Sequence, residues 1–404
     1  MKISSEGYSP SVLRKIVTQG GRYVYAEAAE NLRSLAEIEL SAQHVGELTE
    51  RVGREWAERR DQEAAADQQN QLGRMYAAAP QAAAVMLDGG RVQTRAADAP
   101  AGVHQAAWKE VKYACCLTLP LKADEADPQP EPPAAFLEPE VVGRLVREMA
   151  GAHGVKVPPA ERPVAAAAPP PTPEAHESRA RSYLVRTAVA TLEGVEHFQR
   201  LVAAEVYRRG LDLATRKACV CDGQAYNWTV YEQELQPLGF VAVLDFLHLL
   251  TYLYAAAQAA GGTAKAGWKL YEQWLRWAWH GQRAELLTAL QAAGGRLGEP
   301  PDGVPANDAR QVLARTLTDV VNQTDKLDYP RYRRLGLPWS SAPVESLIKQ
   351  FNRRVKGSEK FWVPAGAEAV LQIRAAELSE DHRAERAWNQ PRPRAGGCRY
   401  FRAA

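Results

Sequence analysis

The chain has 404 residues, enough for one large domain and a smaller one, and its formal net charge of +2 by itself argues for no polyanion partner. With 46% hydrophobic residues it has the composition of an ordinary globular protein with a substantial core. No apolar run is long enough to span a bilayer and Met1-Lys2-Ile3-Ser4 leads into polar sequence, which argues against a membrane partner and a secretory signal and for a cytoplasmic location.

Residues 1–75 read as helical, with 26–38 rich in Ala and Leu. Glu39-Leu40-Ser41 makes a break, and Ser41 is a plausible N-cap for the next helix. That helix places Val45, Leu48, Val52 and Trp56 on one apolar stripe. Two helices joined by a short turn fit either a helix-turn-helix reader of DNA or a plain helical hairpin. The pairs Glu47/Arg51, Glu50/Arg54 and Glu55/Arg59 give a solvated, self-neutralised face.

A short apolar run, 85–87, ends at Asp88-Gly89-Gly90, and 111–119 is the clearest strand. Residues 121–177 read as a Pro-rich surface insertion around a short helix, 138–150, with Val141, Val142, Leu145 and Met149 on one side. A third strand is expected within 181–192, a helix over 193–209 stopped by Gly210, and a strand over 216–221 closing on Asp222-Gly223. A further strand, 240–244, leads into Asp245-Phe246-Leu247-His248 and a helix to about 260. Residues 268–293 and 308–325 read as helices, and the last core helix begins after Pro338-Trp339-Ser340-Ser341. Residues 383–404 read as a loose tail. Of the five cysteines, Cys115, Cys116, Cys219 and Cys221 lie in predicted strands and Cys398 in the tail; with no zinc spacing, they read as buried, reduced thiols.

This order of elements predicts an α/β fold, a mixed sheet with helices on its faces. Asp88 and Asp222 each close a strand, and on neighbouring strands both carboxylates would enter one crevice. Each Gly leaves room behind its Asp for a tight turn and a bulky polyanion. An Asp after a strand is equally an ordinary turn residue. Glu345 sits in the first turn of its helix, where the dipole favours a negative charge; Ala342 rules out a capping box, leaving Ser341 to cap alone. His248 is either satisfied by backbone, or a contact to a scissile phosphate or a partner of a metal ligand, and Asp245 is a rival to Asp222 as a ligand. Three carboxylates suit magnesium or manganese, two ions clamping the oxygens of an in-line displacement. Between 331 and 360 eight cationic residues face two anionic ones; Arg333, Arg334, Lys349, Arg353, Arg354 and Lys356 are the candidate phosphate-backbone contacts. Trp268, Trp274, Trp277 and Trp279 read mostly as core, with one available to stack on a DNA base.

Asp88-Gly89-Gly90, Asp222-Gly223-Gln224-Ala225-Tyr226-Asn227-Trp228, Leu244-Asp245-Phe246-Leu247-His248, Arg333-Arg334-Leu335-Gly336-Leu337-Pro338 and Val344-Glu345-Ser346, with Lys349-Gln350, come one after another in an order that resembles the ISKra-type bacterial insertion-sequence transposases. The resemblance covers roughly 80–380. It implies a DDE transposase with a ribonuclease-H-like catalytic domain over 80–248 and 336–382, a helical insertion at 249–335, and 1–75 as a DNA-binding region. It further implies Asp88, Asp222 and Glu345 as catalytic metal ligands, His248 as the family's His, and at least a dimer on terminal inverted repeats and target DNA, in a bacterial nucleoid. Ser340-Ser341-Ala342-Pro343 stands where the family has Gly-Ser-Gly, which motivates a second reading, a DNA-binding relative without catalysis. A nuclease that cuts without joining is the third.

Overall fold

A computed structural model describes residues 7–76, 78–96, 107–120, 123–152, 183–357 and 360–389, and two long strands carry the middle of its sheet. β1 (Ala82–Thr94) and β2 (Ala107–Leu119) pair antiparallel along their whole length. β3 (Val185–Thr191) adds antiparallel to β2. β4 (Arg216–Cys221) and β5 (Val241–Leu244) add parallel on the other side of β1, giving the order β3-β2-β1-β4-β5. A mixed α/β fold with helix-flanked sheet is therefore observed, as the order of elements predicts. The central strand is buried on both faces, so 82–87 is an unbroken apolar run rather than an alternating one. Cys115, Cys116, Cys219 and Cys221 are buried free thiols in these strands; Cys398 lies outside the described residues.

The first strand does not stop at Asp88. Its pairing with β4 ends at Leu87, but its ladder with β2 continues to Thr94, because 107–112 offers backbone partners beyond that point. Asp88 therefore lies within a strand, at the level where one of its two neighbours ends.

The helices α1 (Pro10–Arg22), α2 (Tyr25–Ala36) and α3 (Ala42–Gln68) precede the sheet. Ser41 caps α3 as expected, its Oγ accepting from His44 N at 3.1 Å, and Val45, Leu48, Val52 and Trp56 are buried. Then come α4 (Pro139–Ala152), α5 (Val195–Arg208), a short α6 (Ala225–Val230), α7 (Phe246–Gly261), α8 (Ala264–Trp279), α9 (Arg283–Leu297), α10 (Ala309–Asn322), α11 (Tyr329–Arg334), α12 (Ala342–Val355), α13 (Pro364–Leu378) and α14 (Arg383–Asn389). The helix expected over 268–293 is two, broken where Gly281 takes a φ of 71°. Trp274 and Trp279 are buried, and Trp268 and Trp277 pack half-buried on the same core. Among the described residues no helix is long and apolar enough to cross a membrane.

Three regions pack more tightly than their composition suggests. The start of the Pro-rich segment is strapped to the helical block: Arg333 Nε donates to Asp127 at 2.8 Å, Trp279 Nε1 to Gln129 O at 3.0 Å and Tyr271 Oη to Phe136 O at 3.0 Å. Residues 153–182 lie outside the described ones. The N-terminal helices are joined to the body. Gly53 of α3 lies so close to α13 that a Cβ would come within 2.3 Å of Ala369 O, and Ile373 of α13 belongs to their apolar core. Finally, 383–389 is no loose tail, since Arg383 pairs with buried Glu205 at 2.5 Å and with Asp381 at 2.9 Å; 390–404 lie outside the described residues.

Burial pushes Glu205 upward, but Arg383, Arg208 and Arg209 outweigh it and hold its carboxyl well below the usual range. A depressed folded value stabilises the fold above the unfolded carboxylate range, about pH 4, and that stability is lost as pH falls below it. Arg383→Ala should cost about 3 kcal/mol at neutral pH by leaving Glu205 buried with one partner fewer, and should flatten the acid limb of a Tm-against-pH curve. An unchanged acid limb would show that this ion cluster is not what ties the C-terminal helix down.

Candidate metal centre

Parallel pairing sets the site. Leu87 lies opposite Cys221, and Cys221 opposite Leu244. The next residue on each of these three neighbouring strands is an aspartate: Asp88, Asp222 and Asp245. Adjacent strands lie about 4.8 Å apart, so the three form one row across the strand ends. Asp88 and Asp222 are thus side by side, as their expected convergence requires. Asp245, ranked behind Asp222 in the sequence, belongs to the same row.

Each aspartate is held differently. Asp88 is half-buried and its Oδ1 accepts from Gly89 N at 2.6 Å. Asp222 is buried; its Oδ1 accepts from Gln224 N and from Asn227 Nδ2, both at 3.0 Å. Gly223 turns the chain there with a φ of 99°. Asp245 is fully buried and caps α7, its Oδ2 accepting from His248 N at 3.0 Å and contacting His248 Nδ1 at 2.6 Å. Its Oδ1 accepts from Ser341 N at 2.7 Å. That bond fixes the start of α12 against the strand end, so Asp245 positions both His248 and the helix that carries Glu345.

Glu345 points to the site from the first turn of α12. Ser341 makes no side-chain cap; its Oγ instead lies 3.3 Å from Glu345 Oε1. The expected capping role of Ser341 is thereby replaced by a contact that aims the glutamate. Asp245, His248 and Glu345 each present a ligand atom within 4.8 Å of the others'. Asp88 and Asp222 stand outside this tightest group but share its field. Burial, the Asp222 charge and the Glu345 charge push the Asp88 carboxyl up to about 8, against the opposing pull of His248. Burial pushes His248 down, but Asp245, Asp222 and Asp88 carry it up to about 9. Burial and the Asp245 charge raise Glu345, while His248 and Lys349 lower it. Four carboxylates thus converge on one imidazolium, a site short of positive charge.

The glycines after Asp88 serve space rather than a turn. A Cβ on Gly89 would come within 2.7 Å of Tyr226 Oη, and one on Gly90 within 2.9 Å of the Tyr113 ring. Tyr226, Asn227 and Ser341 are neighbours of the acidic row; the sequence offered the first two only as parts of a motif and Ser341 only as a cap. The signal for Asn227 was local: it lies five residues after Asp222, across a turn and third in the short helix α6.

The basic residues divide. Lys349, Arg353, Lys356 and Arg334 are exposed and free of the core. Arg333 and Arg354 are corrected from phosphate contacts to buried structural cations. Arg333 is 4% exposed, pairs with Asp127 and lies over the Trp279 ring at 4.1 Å. Arg354 is 3% exposed, donates to Gly20 O at 2.9 Å and lies between the rings of Tyr25 and Trp362. A helix places every third or fourth residue on its buried face, and Arg354 shares that face with Leu347, Phe351 and Val355.

No protein-family model and no curated protein matches the chain.

Gly89→Ala should destabilise the protein by about 1–3 kcal/mol through its clash with Tyr226 Oη. Combining it with Tyr226→Phe, which removes that oxygen, should recover part of the loss. Strictly additive unfolding energies for the two changes would show that Gly89 is not there to clear the tyrosine.

Proposed function

We propose that the chain is a DNA transposase of an insertion sequence, hydrolysing phosphodiesters at the element's ends and transferring the freed strand to target DNA. One observation carries this reading: the row of Asp88, Asp222 and Asp245 on three neighbouring parallel strands, faced by Glu345 from a helix whose outer surface is cationic. A central β1 between an antiparallel and a parallel neighbour supports a ribonuclease-H-like domain. The helices α8 to α11 support the inserted helical block, and α1 to α3 are the part that would read the inverted repeats. Joining two ends to one target requires at least two copies.

The donor set fits hard divalent cations. Carboxylate oxygens predominate, and the Asp88 carboxyl, pushed up to about 8 by burial and then by the Asp222 and Glu345 charges, is a group that holds a proton where a cation would be favoured. Asp88, Asp222 and Glu345 would hold two magnesium or manganese ions. Asp245 is the poorer ligand although it lies in the tightest group, because both its oxygens already accept N–H bonds. Bound cations supply stabilisation of charge on the attacking and leaving oxygens of an in-line displacement. The protein does the rest. Asp245 orients the His248 ring, and protonated His248 can donate to a phosphate oxygen. Lys349, Arg353, Lys356 and Arg334 can hold backbone phosphates without choosing sequence. Ser341, in the loop that motivates the inactive alternative, ties Glu345 to Asp245 and so favours an active site. A nuclease that does not join would yield cut ends and no joined product.

The direct test is strand transfer with the element's own ends and magnesium. Asp222→Asn should lower the product by more than about a hundredfold, beyond what loss of an outer partner produces; undiminished transfer would refute the assignment. A second test reads the proton on Asp88. Below about pH 8 a cation must displace that proton, so magnesium affinity should rise with pH towards 8 and then level off, with proton release seen by calorimetry in buffers of different ionisation enthalpy. Asp88→Asn should abolish the pH dependence. Affinity that is flat through neutral pH in the wild type would place the cation elsewhere.

A further inference from the structure

Away from the acidic row, a cleft of about 490 Å³ opens at the seam where α1 meets α12 and α13. Five cationic side chains line it, Arg22, Arg353, Arg354, Lys360 and Arg374, against the two carboxylates Glu27 and Glu377. Two arginines of this set share their acidic partner. One oxygen of Glu377 serves two arginines, Arg374 Nη1 at 2.7 Å and Arg22 Nε at 3.3 Å. Two of the arginines also hold nitrogens that are buried and unpartnered, Arg354 Nη2 and Arg374 Nε. A buried N–H on a charged group without an acceptor is costly, and here two such groups belong to side chains that line one opening. Burial pushes Arg374 down, and the nearby charges of Arg22 and Arg353 push it further, against the pull of Glu377. Tyr23, 39% exposed, forms part of the rim.

Planar guanidinium forks pair bidentately with phosphate as they do with carboxylate, and a phosphate has further oxygens to accept from a second and third fork. We propose that this cleft binds a phosphate group, with Arg22, Arg353 and Arg374 as its principal donors. The same chemistry comes from two sources, a free phosphate ion or the backbone of DNA. Bound at this seam, the anion would bridge the N-terminal helices to α12 and α13 and relieve the crowding of like charge. The site is separate from Asp88, Asp222 and Glu345, so its failure leaves the catalytic reading to be judged by Asp222→Asn alone.

The experiment uses the full chain. Inorganic phosphate is compared with chloride at matched ionic strength, by thermal unfolding and calorimetry, in the wild type, in Arg22→Gln/Arg353→Gln and in Arg374→Gln. The first variant changes two exposed side chains and leaves Glu377 its shorter pair with Arg374, which keeps the test valid if Arg374→Gln fails to fold. A non-specific DNA duplex is titrated in parallel over a salt series. The expected result is a Tm raised by phosphate over chloride, with affinity about tenfold weaker in the double variant. If DNA affinity also falls, with a salt slope shallower by about one for each lost contact, and phosphate competes, the occupant is the DNA backbone. If DNA binding is unchanged, the occupant is free phosphate. Phosphate and chloride acting alike on the wild type, with DNA binding identical in wild type and variants, would overturn the proposal.

Discussion

The hydrogen bond from Ser341 N to Asp245 Oδ1 joins the two halves of the acidic site. On one side of it lies the sheet, whose parallel register puts Asp88, Asp222 and Asp245 level. On the other lies α12, which returns from a helical block of nearly a hundred residues to deliver Glu345. A chain excursion of that length leaves the position of its far end undetermined unless something buried pins it, because closing a long loop constrains its ends only weakly. Asp245 does so with both oxygens in use, and so the same carboxylate orients His248 and sets where α12 begins. The apolar face of α12, Val344, Leu347, Phe351 and Val355, then fixes the helix rotation that turns Glu345 inward and Lys349, Arg353 and Lys356 out.

The same economy of buried polar contacts runs through the outer parts. Arg333 and Arg354 look, in sequence, like members of a cationic stripe. In the structure each is a tie: Arg333 anchors the strap at Asp127 and Arg354 anchors α1 at the Gly20 carbonyl. Both lie on aromatic faces, where a guanidinium is stabilised by the ring quadrupole while its hydrogen bonds reach past the ring. The N-terminal helices are thereby bound to the body through Arg354 as well as through the close approach of Gly53 to Ala369. Their exposed faces, not their whole surfaces, are what remains for any partner.

Much of the fold was legible because the signals were local. Strand composition located all five strands, Gly210 marked the end of α5, and Ser41 marked the start of α3. What was not legible depended on neighbours. Asp88 looked like a strand end because the apolar run stops there, whereas the ladder with β2 continues; only a partner strand can show that. The break at Gly281 was hidden inside an apolar, Trp-rich stretch that reads as one helix. Charge was the least legible property. Nothing in a run of Lys and Arg says which members face inward, until the helix phase is set by Leu347 and Phe351. Asp245 was ranked behind Asp222 because no glycine comes after it, yet the register of Leu244 with Cys221 places it in the row whether or not a glycine is there.

The acidic row is held under electrostatic tension, and the structure shows how that tension is distributed. Asp222 accepts two N–H bonds and Asp245 three, counting the His248 ring, so both are solvated by the protein itself. Asp88 accepts one, from its own neighbour's N–H, and it is Asp88 whose carboxyl is pushed up to about 8. Burial, and after it repulsion from Asp222 and Glu345, therefore acts on a carboxyl that has a single N–H donor. A positive charge entering the site would relieve Asp88 first, while the hydrogen bonds holding Asp222 and Asp245 would not need to break. His248, carried up to about 9 by Asp245, Asp222 and Asp88 against its burial, already supplies one such charge. Two of the acids are thus fixed by several N–H donors and the third by one, so the strand ends leave Asp88 the least solvated member of the row.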